Sequence, residues 1–220
     1  NPSRIEGARY HQPSERILTF DDDGMVRIWD AETGEQVIEM PHEVSIDNAR
    51  WNPSGQQVLV ITSDDRVILW NVDGNVVFTA LLSEGIIDAD FSAEGTFIAS
   101  WSWDKTVHIW DNTGQQQSIL QPDEIVVATW SQQDDLIFTS SSSGQLRLYQ
   151  VDGTALANMR HDEEPGTFFL SADADHVVTQ TEDAGQRWLV DIPQLIDLAQ
   201  QLKVRDLTPA ERQQFFLFNE

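Results

Sequence analysis

Trp51-Asn-Pro-Ser-Gly-Gln-Gln-Val-Leu-Val-Ile-Thr-Ser-Asp-Asp-Arg-Val-Ile-Leu-Trp-Asn71 decides how this chain folds. An aromatic residue precedes a Pro-Ser-Gly turn, and an apolar run over 58–61 follows it. The acidic pair Asp64-Asp65 turns the chain, and a second apolar run over 67–70 closes on a tryptophan. Two short apolar runs around a tight polar turn read as a β-hairpin. The same text returns along the chain. The turn-side residues are Tyr10, Trp51, Phe91, Trp130 and Leu170, spaced 41, 40, 39 and 40. The acidic or small residues Asp23, Asp64, Asp104, Ser143 and Asp183 keep the same spacings, as do the closing residues Trp29, Trp70, Trp110, Tyr149 and Leu189. Three registers that stay in step over five copies mark an internal repeat.

Each copy reads as four short strands. In the first they fall over 5–10, 16–20, 25–29 and 36–40, with Asp23-Gly24 as a tight hairpin signal between the second and third. The fifth copy supports three strands, over 167–170, 176–180 and 186–190. Where its outer strand should follow, 193–202 reads as a helix, with Leu195, Ile196, Leu198, Ala199 and Leu202 on one side. Thr208-Pro209-Ala210-Glu211 starts a second helix, with Thr as N-cap and Pro at the first helical position. The expected class is therefore all-β, with five units over 1–41, 42–81, 82–120, 121–160 and 161–191 and a helical extension over 192–220.

At this point the chain resembles the WD-repeat family of β-propellers. Ile28-Trp29-Asp30, Leu69-Trp70-Asn71 and Ile109-Trp110-Asp111 match its closing motif, and Trp51-Asn52-Pro53-Ser54-Gly55 matches its turn. The resemblance implies a structural hydrogen-bond network in each blade. A His nine residues before the turn aromatic would join an Asp in the second-to-third-strand hairpin and the closing Trp. That assigns His42 and His161, Asp23, Asp64, Asp104 and Asp183, and Trp29, Trp70 and Trp110. The other copies carry Asn1, Leu82 and Gln121 at the His position. Seven blades are usual in the family, so these five copies are expected to be the C-terminal part of a larger propeller, with a closed five-bladed ring as the alternative. The tail, Ile192-Pro-Gln-Leu-Ile-Asp-Leu-Ala199 and Leu207-Thr-Pro-Ala-Glu-Arg-Gln-Gln-Phe215, is similar to the ending of large bacterial WD-repeat signalling proteins. In those the propeller acts as a sensor beside an effector or NTPase module.

Charge narrows the partners. Thirty-seven acidic and 13 basic residues give a formal net charge of −24. Such a surface repels phosphate backbones, so neither nucleic acid nor an anionic membrane is expected as a partner. A protein or peptide, basic in character, or upstream domains of the same chain fit better. The chain has no cysteine, which removes disulfides and thiolate chemistry and suits a cytoplasmic setting. No run of 18 apolar residues occurs.

Candidate chemistry is thin. Asp21-Asp22-Asp23 lacks the alternating ligands of a calcium loop, and in register Asp23 is the hairpin residue. His161-Asp162-Glu163-Glu164 places one His beside three acids at a structural position. His11, His42, His108, His161 and His176 have no metal-ligand spacing. Ser140-Ser141-Ser142-Ser143-Gly144 has no nucleophile-elbow pattern, and no phosphate-binding glycine motif occurs. No catalytic residue, metal or cofactor is expected, and the chain reads as a non-enzyme. Trp101-Ser102-Trp103 is the local departure: two tryptophans one apart on a strand share a face. At position 103 the sibling copies carry Asp22, Ser63, Ser142 and Glu182. Trp101, Trp103 and those siblings form the candidate binding face; the competing reading packs Trp103 against a neighbouring blade. The expected function is a non-catalytic interaction module, the sensor or scaffold propeller of a bacterial multidomain signalling or defence regulator. The alternative is a stand-alone scaffold subunit of a multiprotein complex.

Overall fold

The computed structural model describes residues 4–122, 127–131, 136–141 and 143–160 and the strands Thr167–Leu170, His176–Gln180 and Gly185–Leu189, with side chains described as far as residue 158. The expected helices over 192–220 lie outside the described residues, as do Ser142, His161, Glu182 and Asp183. The chain falls into two compact units, Asn1–Gln121 and Pro122–Glu220.

The first unit holds three antiparallel four-stranded meanders. The first sheet is β1 (Ile5–His11), β2 (Arg16–Asp21), β3 (Met25–Asp30) and β4 (Gln36–Pro41). The second is β5 (Ile46–Trp51), β6 (Gln57–Thr62), β7 (Arg66–Asn71) and β8 (Val76–Leu81). The third is β9 (Ile86–Phe91), β10 (Phe97–Ser102), β11 (Val107–Asp111) and β12 (Gln116–Leu120). The second unit holds a further meander, β13 (Val127–Trp130), β14 (Leu136–Ser140), β15 (Gln145–Gln150) and β16 (Ala155–Arg160), and a three-stranded sheet, β17 (Thr167–Leu170), β18 (His176–Gln180) and β19 (Gly185–Leu189). The only described helix is one 3-10 turn, Gln12–Ser14. These sheets are blades of the WD β-propeller type.

The apolar runs of the second sheet are continuous because both of its faces are covered. Side chains alternate across a strand. Val58, Val60, Ile68 and Trp70 therefore pack with Leu18, Phe20, Val26 and Ile28 of the first sheet. The intervening Leu59, Ile61, Val67 and Leu69 pack with Ala89, Phe91, Ile98 and Trp110 of the third. Each four-stranded sheet also carries a register shift where its third strand meets its fourth, at Ile28/Trp29, Leu69/Trp70, Ile109/Trp110 and Leu148/Tyr149. The residue after the closing aromatic then turns the chain. Asp30 Oδ1 accepts from the Thr33 amide at 2.8 Å and Thr33 Oγ1 at 2.9 Å, and Asp111 Oδ1 does the same for Thr113 at 2.9 and 2.6 Å. This is the physical content of the Trp-Asp pair: a bulge, then an acid that caps the turn.

At this same end of the strands, where the Ala31 amide bonds to the Glu15 carbonyl at 2.9 Å, neighbouring sheets are stitched by side chains. His11 Nε2 lies 3.0 Å from the Pro53 carbonyl, and its Nδ1 lies 2.7 Å from Ser14 Oγ. Asn52, one sheet later, donates from Nδ2 to the Gly95 carbonyl at 3.0 Å. Both contacts need a glycine in the receiving turn. A Cβ on Gly55 would meet the His11 ring at 2.5 Å, and one on Gly95 would meet Asn52 Nδ2 at 2.5 Å. Gly74 also has a left-handed backbone, φ +81°, but nothing lies within 4 Å of its missing Cβ. Gly74→Ala should therefore lose only the backbone preference, about 1 kcal/mol. Gly55→Ala should lose about 2 kcal/mol or more, and His11→Ala should restore part of that difference. Denaturant melts of the two single variants and the double variant measure both effects.

Candidate interaction face

The hairpins between second and third strands share one backbone design. The residue at the tip is left-handed in four sheets: Gly24 (φ 82°), Asp65 (φ 65°), Lys105 (φ 70°) and Gly144 (φ 81°). In the first two sheets its carbonyl accepts from the segment that leads to the next sheet, His42 N to Gly24 O at 2.8 Å and Leu82 N to Asp65 O at 3.0 Å. The same segments also bond forward to the next hairpin, Ser63 N to Ser45 O at 3.0 Å and Trp103 N to Gly85 O at 3.0 Å. Each connector is thus held between the hairpins on either side of it. Asp22, Ser63 and Trp103 stand at equivalent points of this frame, all exposed. Asp22 N bonds to Arg4 O at 3.1 Å as its siblings do to Ser45 and Gly85.

The side chains that hold the hairpins differ from blade to blade. In the third, Asp104 Oδ1 accepts from Ser102 Oγ, from the Thr106 amide at 2.8 Å and from Thr106 Oγ1 at 2.6 Å, while Ser83 Oγ donates to Oδ2 at 2.6 Å. Burial works to raise the Asp104 pKa, but hydrogen bonds from Ser102, Ser83 and Thr106 outweigh it and hold the group at about 2. In the second, Thr62 Oγ1 donates to Asp64 Oδ1 at 2.7 Å. In the fourth, Ser141 and Ser143 pair through their hydroxyls at 2.9 Å. The first blade corrects the sequence reading. Its hairpin is held by Asp21, two residues before Asp23: Asp21 Oδ1 accepts from the amides of Met25 at 2.9 Å and Asp23 at 3.2 Å, and Oδ2 binds Arg27 at 2.5 Å. The Asp23 side chain is exposed. Asp21 is also the buried member of the acidic triplet.

His42 departs from the expected aspartate partnership. Trp70 Nε1 donates to His42 Nε2 at 3.1 Å, which leaves the proton on Nδ1, 3.3 Å from the Gly24 carbonyl. The ring thus bridges the first hairpin and the second sheet as a neutral group. In the first blade Trp29 Nε1 donates instead to Thr19 Oγ1 at 2.8 Å. In the third, Trp110 stacks on His108, with ring centroids 5.5 Å apart and planes 21° apart, and tilts against Phe78. His11, read from sequence as isolated, is buried between two sheets; its Pro53 partner lies 42 residues away.

Trp101 and Trp103 do not share a face. Strand β10 ends at Ser102, so alternation stops before position 103. Trp101 is 5% exposed and belongs to the core, whereas Trp103 is 67% exposed in the turn. Trp103 therefore does not pack into a neighbouring blade. Its indole edge lies against Gly85, where an added Cβ would sit 3.1 Å from Trp103 Cδ1 and 3.9 Å from Asp65 Oδ1. Asp65 lies beside this corner, Glu84 precedes Gly85 in the connector and Asp104 follows Trp103 in the hairpin. Among the described residues no group of three His, Cys, Asp or Glu could hold a metal ion, and no helix is long and apolar enough to cross a membrane.

Burial lowers the pKa of His42, against hydrogen bonds to Gly24 and Met40 that raise it, and burial likewise lowers that of His108. Both fold below the ordinary value of 6.5. The unfolded chain then binds more protons between the folded and unfolded values. Stability is full above pH 6.5 and is lost as pH falls toward the folded values. Melting temperature should fall between pH 7 and about pH 5, and His42→Gln with His108→Gln should flatten that slope. An unchanged slope in the double variant refutes the assignment.

The comparisons with known proteins agree with this architecture. Periodic tryptophan protein 2 homolog of Schizosaccharomyces pombe is 28% identical over 141 residues, covering 60% of this chain and 16% of the relative. WD repeat-containing protein 35 of Rattus norvegicus is 23% identical over 114 residues, 50% of this chain and 10% of the relative. A chromatin assembly factor 1 subunit of Gallus gallus is 27% identical over 177 residues, 64% of this chain and 31% of the relative. The chain thus spans less than a third of each. Residues 22–181 match the family model described as eukaryotic translation initiation factor eIF2A. That match covers more than half of the sequence, and the chain belongs to this family, with WD-repeat proteins among its relatives.

Proposed function

We propose that this chain is a non-catalytic interaction module that docks a protein partner on its hairpin face. The observation that carries the reading is Trp103, 67% exposed on a corner braced from two sheets. An exposed tryptophan on a rigid base is the kind of residue that dominates binding energy at protein interfaces. The carboxylates around it, within a chain of net charge −24, favour a partner segment rich in Lys or Arg. A relative named as a subunit of chromatin assembly factor 1 supports a role inside a multiprotein assembly. The sensor role in a bacterial signalling regulator is the second reading; it rests on the resemblance of the tail over 192–220. A larger, seven-bladed ring belongs to the same proposal, and the intact mass of the native protein tests it.

Trp103→Ala should weaken binding of the native partner by about 30-fold or more, as loss of a central anchor does. It should leave the melting temperature unchanged, since the ring covers little core. Affinity of the wild-type protein should fall as salt rises. Unchanged affinity together with lost stability would show that Trp103 is a structural residue.

A further inference from the structure

A cleft opens between the first strands of the first two sheets. Residues of β1, β2 and β5 and the turn after β2 line its volume of about 500 Å³. Phe20 and Ile46, both nearly buried, give it an apolar patch within a mainly polar lining. Gly7 is what lets the Phe20 ring reach under β1, since a Cβ there would meet the ring at 2.2 Å. Asp22, Asp47 and Asn48 also line the cleft. Asn48 Oδ1 is buried with no hydrogen-bond partner among the described residues. Asp22 accepts one bond, from the Arg4 amide at 2.8 Å, and Glu6 on the same wall faces Arg4 at 3.4 Å. Arg9 is the one cation among the described residues that line the cleft, against three carboxylates.

The next junction in the same unit shows what such an arrangement holds. There Arg50 of β5 reaches across to β9, with one guanidinium nitrogen 2.5 Å from Asp88 and the other 2.8 Å from Asp90. A guanidinium between two carboxylates, on adjacent first strands, is thus already built into this fold. At the β1–β5 junction the residues in register with Asp88 and Asp90 are Asn48 and Arg50, so Arg9 meets no such pair. The acids stand at Asp22 and Asp47 instead. Burial, and then the neighbouring Asp65, push the Asp47 pKa up, as expected of a carboxylate short of positive charge.

We propose that this cleft takes one lysine or arginine side chain of the partner polypeptide, with its methylene stem on Phe20 and Ile46 and its charged head between Asp22 and Asp47. An apolar patch beside carboxylates matches the two chemistries of such a side chain. The proposal rests on the interaction reading above and names the residue class that the partner inserts beside the Trp103 contact.

The test uses the full chain, ¹⁵N-labelled, titrated with N-acetyl-lysine methylamide, N-acetyl-arginine methylamide and the neutral N-acetyl-norleucine methylamide. Either cation should bind with a Kd on the order of millimolar and shift the amides of 45–48 and the Asn48 side chain. The neutral probe should not. Asp47→Asn and, separately, Asp22→Asn should each weaken the cation about fivefold or more without changing the melting temperature. Trp103→Ala should leave these titrations unchanged. Equal shifts from the neutral probe, or full affinity in both Asn variants, overturn the cleft. Shifts confined to the Trp103 hairpin and abolished by Trp103→Ala overturn it too. Because the cleft is read with side-chain probes and the docking face with the native partner, either reading can fail alone.

Discussion

The left-handed residue at the tip of the four described second-to-third-strand hairpins sets the geometry on which the rest of this face depends. A right-handed tip would aim its carbonyl elsewhere; the left-handed one in the first two sheets offers it to the connector that follows. That connector then bonds forward to the next hairpin. Gly24 shows how tight the arrangement is, because a Cβ there would lie 2.5 Å from the Val44 carbonyl and 2.6 Å from that of His42. Asp65 and Lys105 adopt the same backbone with side chains attached, at an energetic cost that glycine avoids. The orientation of one peptide unit therefore fixes three segments.

Packing supplies the stability that these polar links then direct. The second sheet buries alternate residues of β6 and β7 against different neighbours, so the runs 58–61 and 67–70 are apolar throughout. A change at Val60 is felt toward the first sheet and one at Ile61 toward the third. The polar stitches run in the same direction as this stacking. Asn52 reaches from the second sheet to Gly95 of the third, and Gln57 donates across the same junction to the Asn112 carbonyl at 3.0 Å. Hydrophobic burial is non-directional. The side-chain amides add the register that apolar contacts alone would leave loose.

Much of the fold was legible because the repeat is written in local terms: short apolar runs, tight turns and a closing aromatic. The three strands of the fifth copy fall at 167–170, 176–180 and 185–189, within a residue of the reading from sequence. What was missed depends on residues distant in sequence or on the end of an element. Asp21 and Asp23 are chemically the same residue; which one caps the hairpin depends on where Arg27 lies across the strand pair. His11 looked isolated because its partner is a carbonyl in the next sheet, and carbonyls carry no sequence signature. Trp101 and Trp103 were placed on one face because alternation was extended one residue past the end of β10. Exposure at Trp103 was one of two readings that the sequence allows, since the same text would suit a tryptophan folded onto its neighbour.

The acidic composition has a consequence for how such a face can work. Carboxylates crowded at the hairpins repel each other, and part of the hydrogen bonding seen here relieves that repulsion locally. Asp104 gathers four hydrogen bonds and keeps its charge well below neutral pH, whereas Asp47 lacks such donors and is pushed the other way. The two acids thus fall into different roles through their neighbours alone. One is spent on holding a turn, and its charge is already balanced by hydroxyls and an amide. The other faces a cleft with little to balance it, so a cation from outside gains more there than at Asp104. A surface of uniform acidity would attract any basic chain without preference. Hydrogen-bond donors distributed unevenly beneath that acidity are what convert a general attraction into a particular place, and Trp103 supplies the apolar anchor beside it.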